Sequence, residues 1–411
     1  MKAFFGTVVS LGMCLSGSAF GAAFGIDLHS ARATAMATAM RAHVDDSSAV
    51  LYNPAGMINA GKVLDIQLGD TLVIPSISYT DPANGASTKT TIGVVPPPNF
   101  YASYGINDFA SVGIGEFSPF GLVVDWPSDW KGRQLVQNVE LKTYFINPSV
   151  AVRLHDRVRL GAGIQIIRAI ARLNRALNFV TSEGSVELGA GGWAWGGNAG
   201  IQVDAIPNVL SFGGSFRTPA SFEITGKAHF NNVPPEFQTS AHDQSASTTI
   251  HLPAVGGLGV AVWPIPELRL AFDVEYNGWQ RVHDLTITFS DPATPPTYLP
   301  KRWSYVWNYH LGGEYNINEQ WRARLGLLID PTPSPNDTIT PDLPDFNRVN
   351  IAAGAGYRWG HFSVDAAYQL VILTSNTSTA PAFPGTYKGT ANIVGLSLGW
   401  RGDIARMISN R

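Results

Sequence analysis

Apolar and polar positions alternate with period two over most of this chain. In residues 62–74, Leu64, Ile66, Leu68, Leu72 and Ile74 share one parity, and Val63, Asp65, Gln67, Gly69 and Thr71 share the other. Successive strand residues point to opposite faces, so the run predicts a strand with one apolar face. Residues 303–316 repeat the pattern, with Tyr305, Trp307, Tyr309, Leu311 and Tyr315 opposite Ser304, Asn308, His310, Glu314 and Asn316. Residues 268–276, 320–329, 349–357, 361–370 and 391–400 read the same way.

Extending the pattern places strands near 62–79, 99–106, 109–117, 140–154, 157–175, 191–204, 208–230, 247–263, 267–289, 303–316, 320–330, 347–358, 361–372 and 389–400. Tight turns near 106–108, 155–156, 318–319 and 359–360 separate some of them. Longer connections rich in Pro, Ser, Thr and Asn separate others, at 81–98, 119–138, 231–245, 291–302, 331–346 and 374–388. The segments number fourteen, an even count, and connections alternate between short and long as in an outer-membrane barrel. The expected fold is an all-β membrane protein, a 14-stranded antiparallel transmembrane β-barrel. Closure follows because an open strand edge in lipid leaves backbone groups unpaired. Trp303, Tyr305, Trp307 and Tyr309 suit an interfacial aromatic girdle.

Composition narrows the alternatives. Only 14% of residues are charged, against about 25% in soluble domains, which disfavours a soluble β-sandwich. No internal run of 18 or more residues is apolar and uninterrupted, so a helical membrane bundle is excluded. The net charge of -3 implies no nucleic-acid surface. The single cysteine, Cys14, leaves no disulfide framework or thiolate metal site in a processed chain.

The first residues read as an export signal: Lys2, a mostly apolar stretch at 3–15, then small residues with cleavage near Ala19, Ala22 or Ala23. A short membrane anchor is the alternative. The expected domains are a signal at 1–23, an N-terminal hatch at 24–60, the barrel at 61–400 and an extension at 401–411. The hatch region does not alternate. Ser30 is placed to cap a helix over 31–40, and residues 45–48 open a second helix that Asn53, Pro54, Ala55 and Gly56 stop. Small side chains suit it to packing inside the barrel; a periplasmic tail is the bland reading.

The run 24–28 (Phe-Gly-Ile-Asp-Leu), then Arg41 and residues 45–57 (Asp-Asp-Ser-Ser-Ala-Val-Leu-Tyr-Asn-Pro-Ala-Gly-Met), resembles the N-terminal signature of the FadL/TodX family. These are outer-membrane transporters of long-chain fatty acids and other hydrophobic compounds. Residues 252–254, 268–279, 311–315, 321–331 and 341–357 are similar too, so the resemblance spans the mature chain. It implies a barrel blocked by its own hatch, capture at an external groove, an interior pocket, and lateral exit at a kink in the third strand. Gly113, Gly115 and Pro119 occupy that strand and permit broken pairing; the glycines equally suit close packing against a plug. Phe24 is expected to reach the pocket, and Asn53, Pro54 and Ala55 to fix the hatch.

A basic residue beside an apolar path can hold a carboxylate. The candidates are Arg168, Arg172, Arg175, Lys301 and Arg302; Arg175 shares the inward phase of Gln165, and Arg168 and Arg172 the outward phase of Ile164. Arginines beyond the lipid suit lipopolysaccharide phosphates as well. The inward charges Asp65, Asp273, Glu275, Glu314, Arg322, Arg324, Arg358 and Asp365 are expected to pair across the lumen. Catalytic signals are poor: Gly395-Leu396-Ser397-Leu398-Gly399 has the nucleophile-elbow spacing but falls within a strand, and the histidines, His242, His251 and His283 among them, lack metal-ligand spacing. No catalytic residue, metal or cofactor is expected. The expected activity is passive uptake of fatty acids, with monoaromatic hydrocarbons as the nearest rival and a general porin or an outer-membrane hydrolase behind. Partners would be the hydrophobic substrate, outer-membrane lipid and lipopolysaccharide, and the barrel assembly machinery.

Overall fold

The computed structural model describes residues 23–58, 62–180 and 182–403. The export signal expected at 1–23, apart from Ala23, lies outside the described residues, as do 59–60 of the hatch region and 404–411 of the extension. Fourteen antiparallel strands close into one barrel. They are β1 (Val63–Thr80), β2 (Pro98–Gly105), β3 (Ala110–Phe117 and Gly121–Asp125), β4 (Asn138–His155), β5 (Val158–Asn178), β6 (Glu183–Ile206) and β7 (Leu210–Arg217 and Ala220–Asn231). Then come β8 (Gln244–Leu252 and Val255–Ile265), β9 (Leu268–Asn277 and Asp284–Phe289), β10 (Thr297–Pro300 and Val306–Asn316), β11 (Trp321–Asp330), β12 (Arg348–Trp359), β13 (Phe362–Ser378) and β14 (Gly385–Asp403). A short strand, Ser87–Lys89, pairs with the end of β1.

β1 and β14 seal the cylinder in continuous register from Val63↔Asp403 to Thr80↔Thr386. The wall shows why the chain needs period two. Leu68, Leu258, Leu325 and Leu398 face outward and stay more than half exposed, whereas Gln67, Gln165, Gln202 and Gln369 face inward and are buried. An apolar skin around a polar interior is the inverse of a soluble core and matches a hydrocarbon surround. Tyr276, Tyr305 and Trp307 cluster near one rim, and Trp321, Tyr357 and Trp359 near the other, as interfacial girdles do.

Five strands are interrupted where the sequence reads as continuous or stops short. β7 breaks at Thr218-Pro219 and β8 at Pro253-Ala254, because proline has no amide to give the ladder. Outward residues of β7 change across its break from Phe212 and Phe216 to Ser221 and Glu223, all exposed. The break therefore marks the edge of the lipid-facing band. β14 also runs to Asp403, three residues past the expected end.

The N-terminal residues 23–58 lie against the inner wall. Helix α1 (Ala31–Ala35) packs on β12, β13 and β14; helix α2 (Ala49–Tyr52) packs on β3 and β4, and the 3-10 turn Pro54–Met57 on β4, β5 and β6. The helix expected over 31–40 stops at Ala35 because Ala37 and Thr38 take φ of +47° and +60°. There His310 Nδ1 donates to Ala37 O at 2.8 Å and the Thr38 amide returns to Ala33 O. Ser30 caps nothing with its side chain; its hydroxyl oxygen accepts from Gln67 Nε2 at 3.1 Å. Two wall glycines make the close approach possible. A β-carbon at Gly161 would collide with the Pro54–Ala55 peptide, and one at Gly213 with the Arg41 carbonyl.

Candidate functional site

β3 leaves the wall at Ser118-Pro119-Phe120. Its pairing with β2 ends at Phe100↔Glu116, and its pairing with β4 passes from Phe117↔Phe145 to Gly121↔Lys142, with one residue more on β3 than on β4. That is a β-bulge, which bends a strand and ends its pairing. The N-terminal chain fills the vacated positions: Ile26 N donates to Pro119 O at 2.7 Å, and Gly121 N donates to Phe24 O at 2.9 Å. Thr143 Oγ1 donates to Phe120 O at 2.5 Å and holds the bulge from the β4 side.

His29 reinforces the junction. Its Nε2 donates to Ile26 O at 3.0 Å, its side chain is fully buried, and burial lowers its pKa to about 4, partly opposed by the Ile26 and Ser118 carbonyls.

Phe24 carries its ring to the other side of this junction. It packs edge-on against Trp279 at 4.8 Å between centroids, with Trp303 at 5.7 Å and Phe120 at 6.2 Å. Together with Leu122, Leu141, Leu173, Ile224, Ile250, Val282 and Leu343 it lines an inner cavity of about 130 Å³ whose surface is almost wholly apolar. A second, outer cavity of about 260 Å³ is walled by Leu135, Leu177, Phe179, Phe230 and Phe289, with the Pro295-Pro296 connection over it. The two share Leu173, Leu188, Ile287 and Leu299. The two cavities are therefore neighbours across these four aliphatic side chains, with Phe24 on the inner one.

Charges lining the two cavities differ in their pairing. Arg175 lines the outer cavity; its Nη2 donates to Thr297 Oγ1 at 3.4 Å, and no ion pair to a carboxylate is formed by it among the described residues. In the inner cavity Lys301 is held by Asp342 at 2.8 Å and by Thr340. Arg172 lies at the rim, two-thirds exposed and 3.6 Å from Glu140. Burial pushes the Asp342 carboxyl up, but Lys301 outweighs it and brings the group below its ordinary pKa.

The remaining sequence candidates fall elsewhere. Arg168 is not in either cavity: it stacks over the exposed Trp193 at 5.2 Å and donates to Gly192 O. Arg302 pairs with Asp337 at 2.5 Å. Asn53, Pro54 and Ala55 line neither apolar cavity. Asn53 Nδ2 donates to Arg41 O and Ile201 O at 2.7 and 2.9 Å, and its oxygen accepts from Ala55 N, so these residues fasten the turn to β6. Gly113 and Gly115 sit in regular ladder positions. Side chains there would strike Met57 and Val50, or Tyr101; the glycines make room for the N-terminal segment, and only Pro119 of the three belongs to the break.

The inward charges pair less with one another than expected. Arg41 holds Asp273 and Glu275, and Arg32 joins Glu314 to Asp45 and Asp46. Arg324 does bridge Glu314 and Asp365 along the wall, at 2.6 Å to each. Trp303, assigned to a girdle by its neighbours, is instead buried against Phe24. Ser397 lies within β14 and accepts from Ala31 N at 2.9 Å. Trp279, the four shared aliphatic residues and Asp342 escaped sequence reading, since nothing local distinguishes them from other wall or loop residues.

The sequence profile of outer membrane protein transport proteins, OMPP1/FadL/TodX, matches residues 12–401. The chain belongs to this family. It is 21% identical over 376 residues to a long-chain fatty acid transport protein of Salmonella typhi, covering 84% of this chain and 85% of that protein. It is 24% identical over 418 residues to a 47 kDa outer membrane protein of Pasteurella multocida, covering 94% and 96%. Among solved structures, a Pseudomonas aeruginosa FadL homologue superposes with a TM-score of 0.84 at 20% identity, covering 92% of this chain and 99% of that one. The P. putida toluene transporter TodX gives 0.75 at 16% identity, covering 94% and 99%. As a member of this family the protein is an outer-membrane transport barrel.

Proposed function

We propose that this barrel carries out passive, energy-independent uptake of long-chain fatty acids or similar hydrophobic compounds, captured in the outer cavity and released sideways at the interruption of β3. The observation that carries this reading is the adjacency of the two apolar cavities, which share Leu173, Leu188, Ile287 and Leu299, the inner one lined by Phe24, which is bonded to the bulge. Taking an acyl chain through water costs about 0.8 kcal/mol per CH₂, and a route walled by leucine and aromatic rings avoids that barrier. Arg175 meets a carboxylate head group as the chain enters. The N-terminal segment closes the bore, so the substrate turns toward the wall. Phe24 then stands between cavity and bulge, and its displacement admits the substrate to the lipid-facing side.

A second substrate class, monoaromatic hydrocarbons, is favoured by one feature: the Lys301 ammonium is already neutralised by Asp342, so a molecule without a head group loses nothing there. Growth of an uptake-deficient strain complemented with this protein, on oleate or on toluene as carbon source, tests the reading. Growth on either hydrophobic source above the uncomplemented strain is expected, and growth on neither contradicts it. Lipopolysaccharide phosphates are the proposed contact of Arg168 at the outer boundary.

A further inference from the structure

Lys301 is a buried cation in an apolar chamber, its side chain only 6% exposed. An uncompensated ammonium in such surroundings costs several kcal/mol, so a partner is required. That partner comes from the 331–347 connection, which carries Asp342 inward to Lys301 Nζ at 2.8 Å, with Thr340 Oγ1 at 3.3 Å. Leu343, beside Asp342, lines the same cavity. The contact thus has the form of a carboxylate head group on a short apolar stem, seated on the one lysine that lines the chamber among the described residues.

We propose that Asp342 is a built-in competitor for Lys301 and the residue that sets how the inner cavity discriminates ionised carboxylates from uncharged amphiphiles. The inference rests on the two-cavity route above and specifies its selectivity. The other charges lining the chamber leave Asp342 in command of Lys301: Arg172 is engaged by Glu140, and Asp284 adds a further negative charge beside His283. A carboxylate substrate gains the ammonium only by displacing one already there. A neutral substrate meets a chamber whose lysine is silent. The exchange also suits transport, since a site that conducts must bind weakly enough to let go; a bare buried ammonium would retain every acid that reached it.

The connection does not depend on this ion pair for its path. Trp126 Nε1 donates to Pro341 O at 3.0 Å, and Thr338 Oγ1 donates to Lys301 O at 2.8 Å. Asp345, on the same connection, pairs with Arg348 at 2.6 Å and accepts from Thr332 and Ser334. Removing the charge at 342 therefore leaves the loop seated.

The test measures binding of dodecanoate and of 1-dodecanol to the full-length protein in detergent, by displacement of a fluorescent probe. Asp342→Asn is expected to raise dodecanoate affinity at least about tenfold, the scale of one charge-assisted hydrogen bond, and to leave 1-dodecanol within about twofold. Lys301→Met combined with Asp342→Asn is expected to abolish the gain and keep 1-dodecanol binding. Equal shifts for both probes, or no shift for dodecanoate, overturn the competitor role while the cavity reading stands. Loss of 1-dodecanol binding on filling the cavity by Ile250→Trp is expected; no loss overturns both the competitor role and the route on which it rests.

Discussion

Phe24 O accepts the Gly121 amide at 2.9 Å, so the residue whose ring walls the inner cavity is bonded through its backbone to the one place where β3 abandons β2. Cavity and wall defect are two sides of a single residue. Phe24→Ala keeps that backbone bond and removes the ring contacts with Trp279, Trp303 and Phe120. Truncating a buried phenylalanine costs about 3–5 kcal/mol. Because the barrel ladders are untouched, the loss falls on docking of residues 23–28. Faster thiol labelling of an Ala23→Cys reporter in the Phe24→Ala background is expected, with unchanged heat resistance of the barrel on gels.

The N-terminal segment and the wall fit closely at Gly213, where a β-carbon would strike the Arg41 carbonyl. Gly213→Val should push the segment off the wall and disturb the pairing of Arg41 with Asp273 and Glu275. Ion conductance in planar bilayers is expected to rise severalfold over the native protein. Deleting residues 24–56 should raise it further.

Arg175 lines the outer cavity and, among the described residues, has no carboxylate partner. Arg175→Gln is expected to slow oleate uptake by about tenfold, the value of one lost charge-assisted contact. Uptake of a neutral hydrocarbon should stay within twofold. Equal slowing of both would assign Arg175 to packing instead.

Acid should loosen the junction at β3. The buried His29 has a pKa lowered to about 4 from 6.5. The undocked chain therefore binds the proton first, and docking stability is full above pH 6.5 and lost as pH falls toward 4. Each pH unit in that window removes on the order of 1 kcal/mol. Cleavage by added protease within residues 24–30 is expected to accelerate between pH 6.5 and pH 5, and His29→Gln to flatten the dependence.

The barrel was legible because lipid and lumen impose opposite polarity on alternate residues, and that signal is local to each strand. The runs around Leu68 and Leu398 carry it without any tertiary information. The breaks in β7 and β8 had a sign in Pro219 and Pro253, which alternation alone passes over. Gly113 and Gly115 left two readings open for a related reason: glycine in a strand marks close approach as readily as irregularity, and here Val50 and Met57 are what approach. Partners distant in sequence stayed hidden. Arg32 and Glu314 are separated by 282 residues, and nothing in either segment names the other. The same holds for Lys301 and Asp342, where a lysine legible as a carboxylate site turned out to hold one already.

Gly25 and Phe120 face each other as an isolated antiparallel bridge, flanked by the Ile26–Pro119 and Gly121–Phe24 bonds. Such a non-hydrogen-bonded pair brings the Cα atoms to about 4.5 Å, within disulfide range. Gly25→Cys with Phe120→Cys in a Cys14→Ala background pins the N-terminal chain across the bulge. Oleate uptake by cells carrying the oxidised pair should fall at least about tenfold and recover on reduction, with both single variants near native rates. Undiminished uptake through the oxidised protein would contradict lateral release at β3.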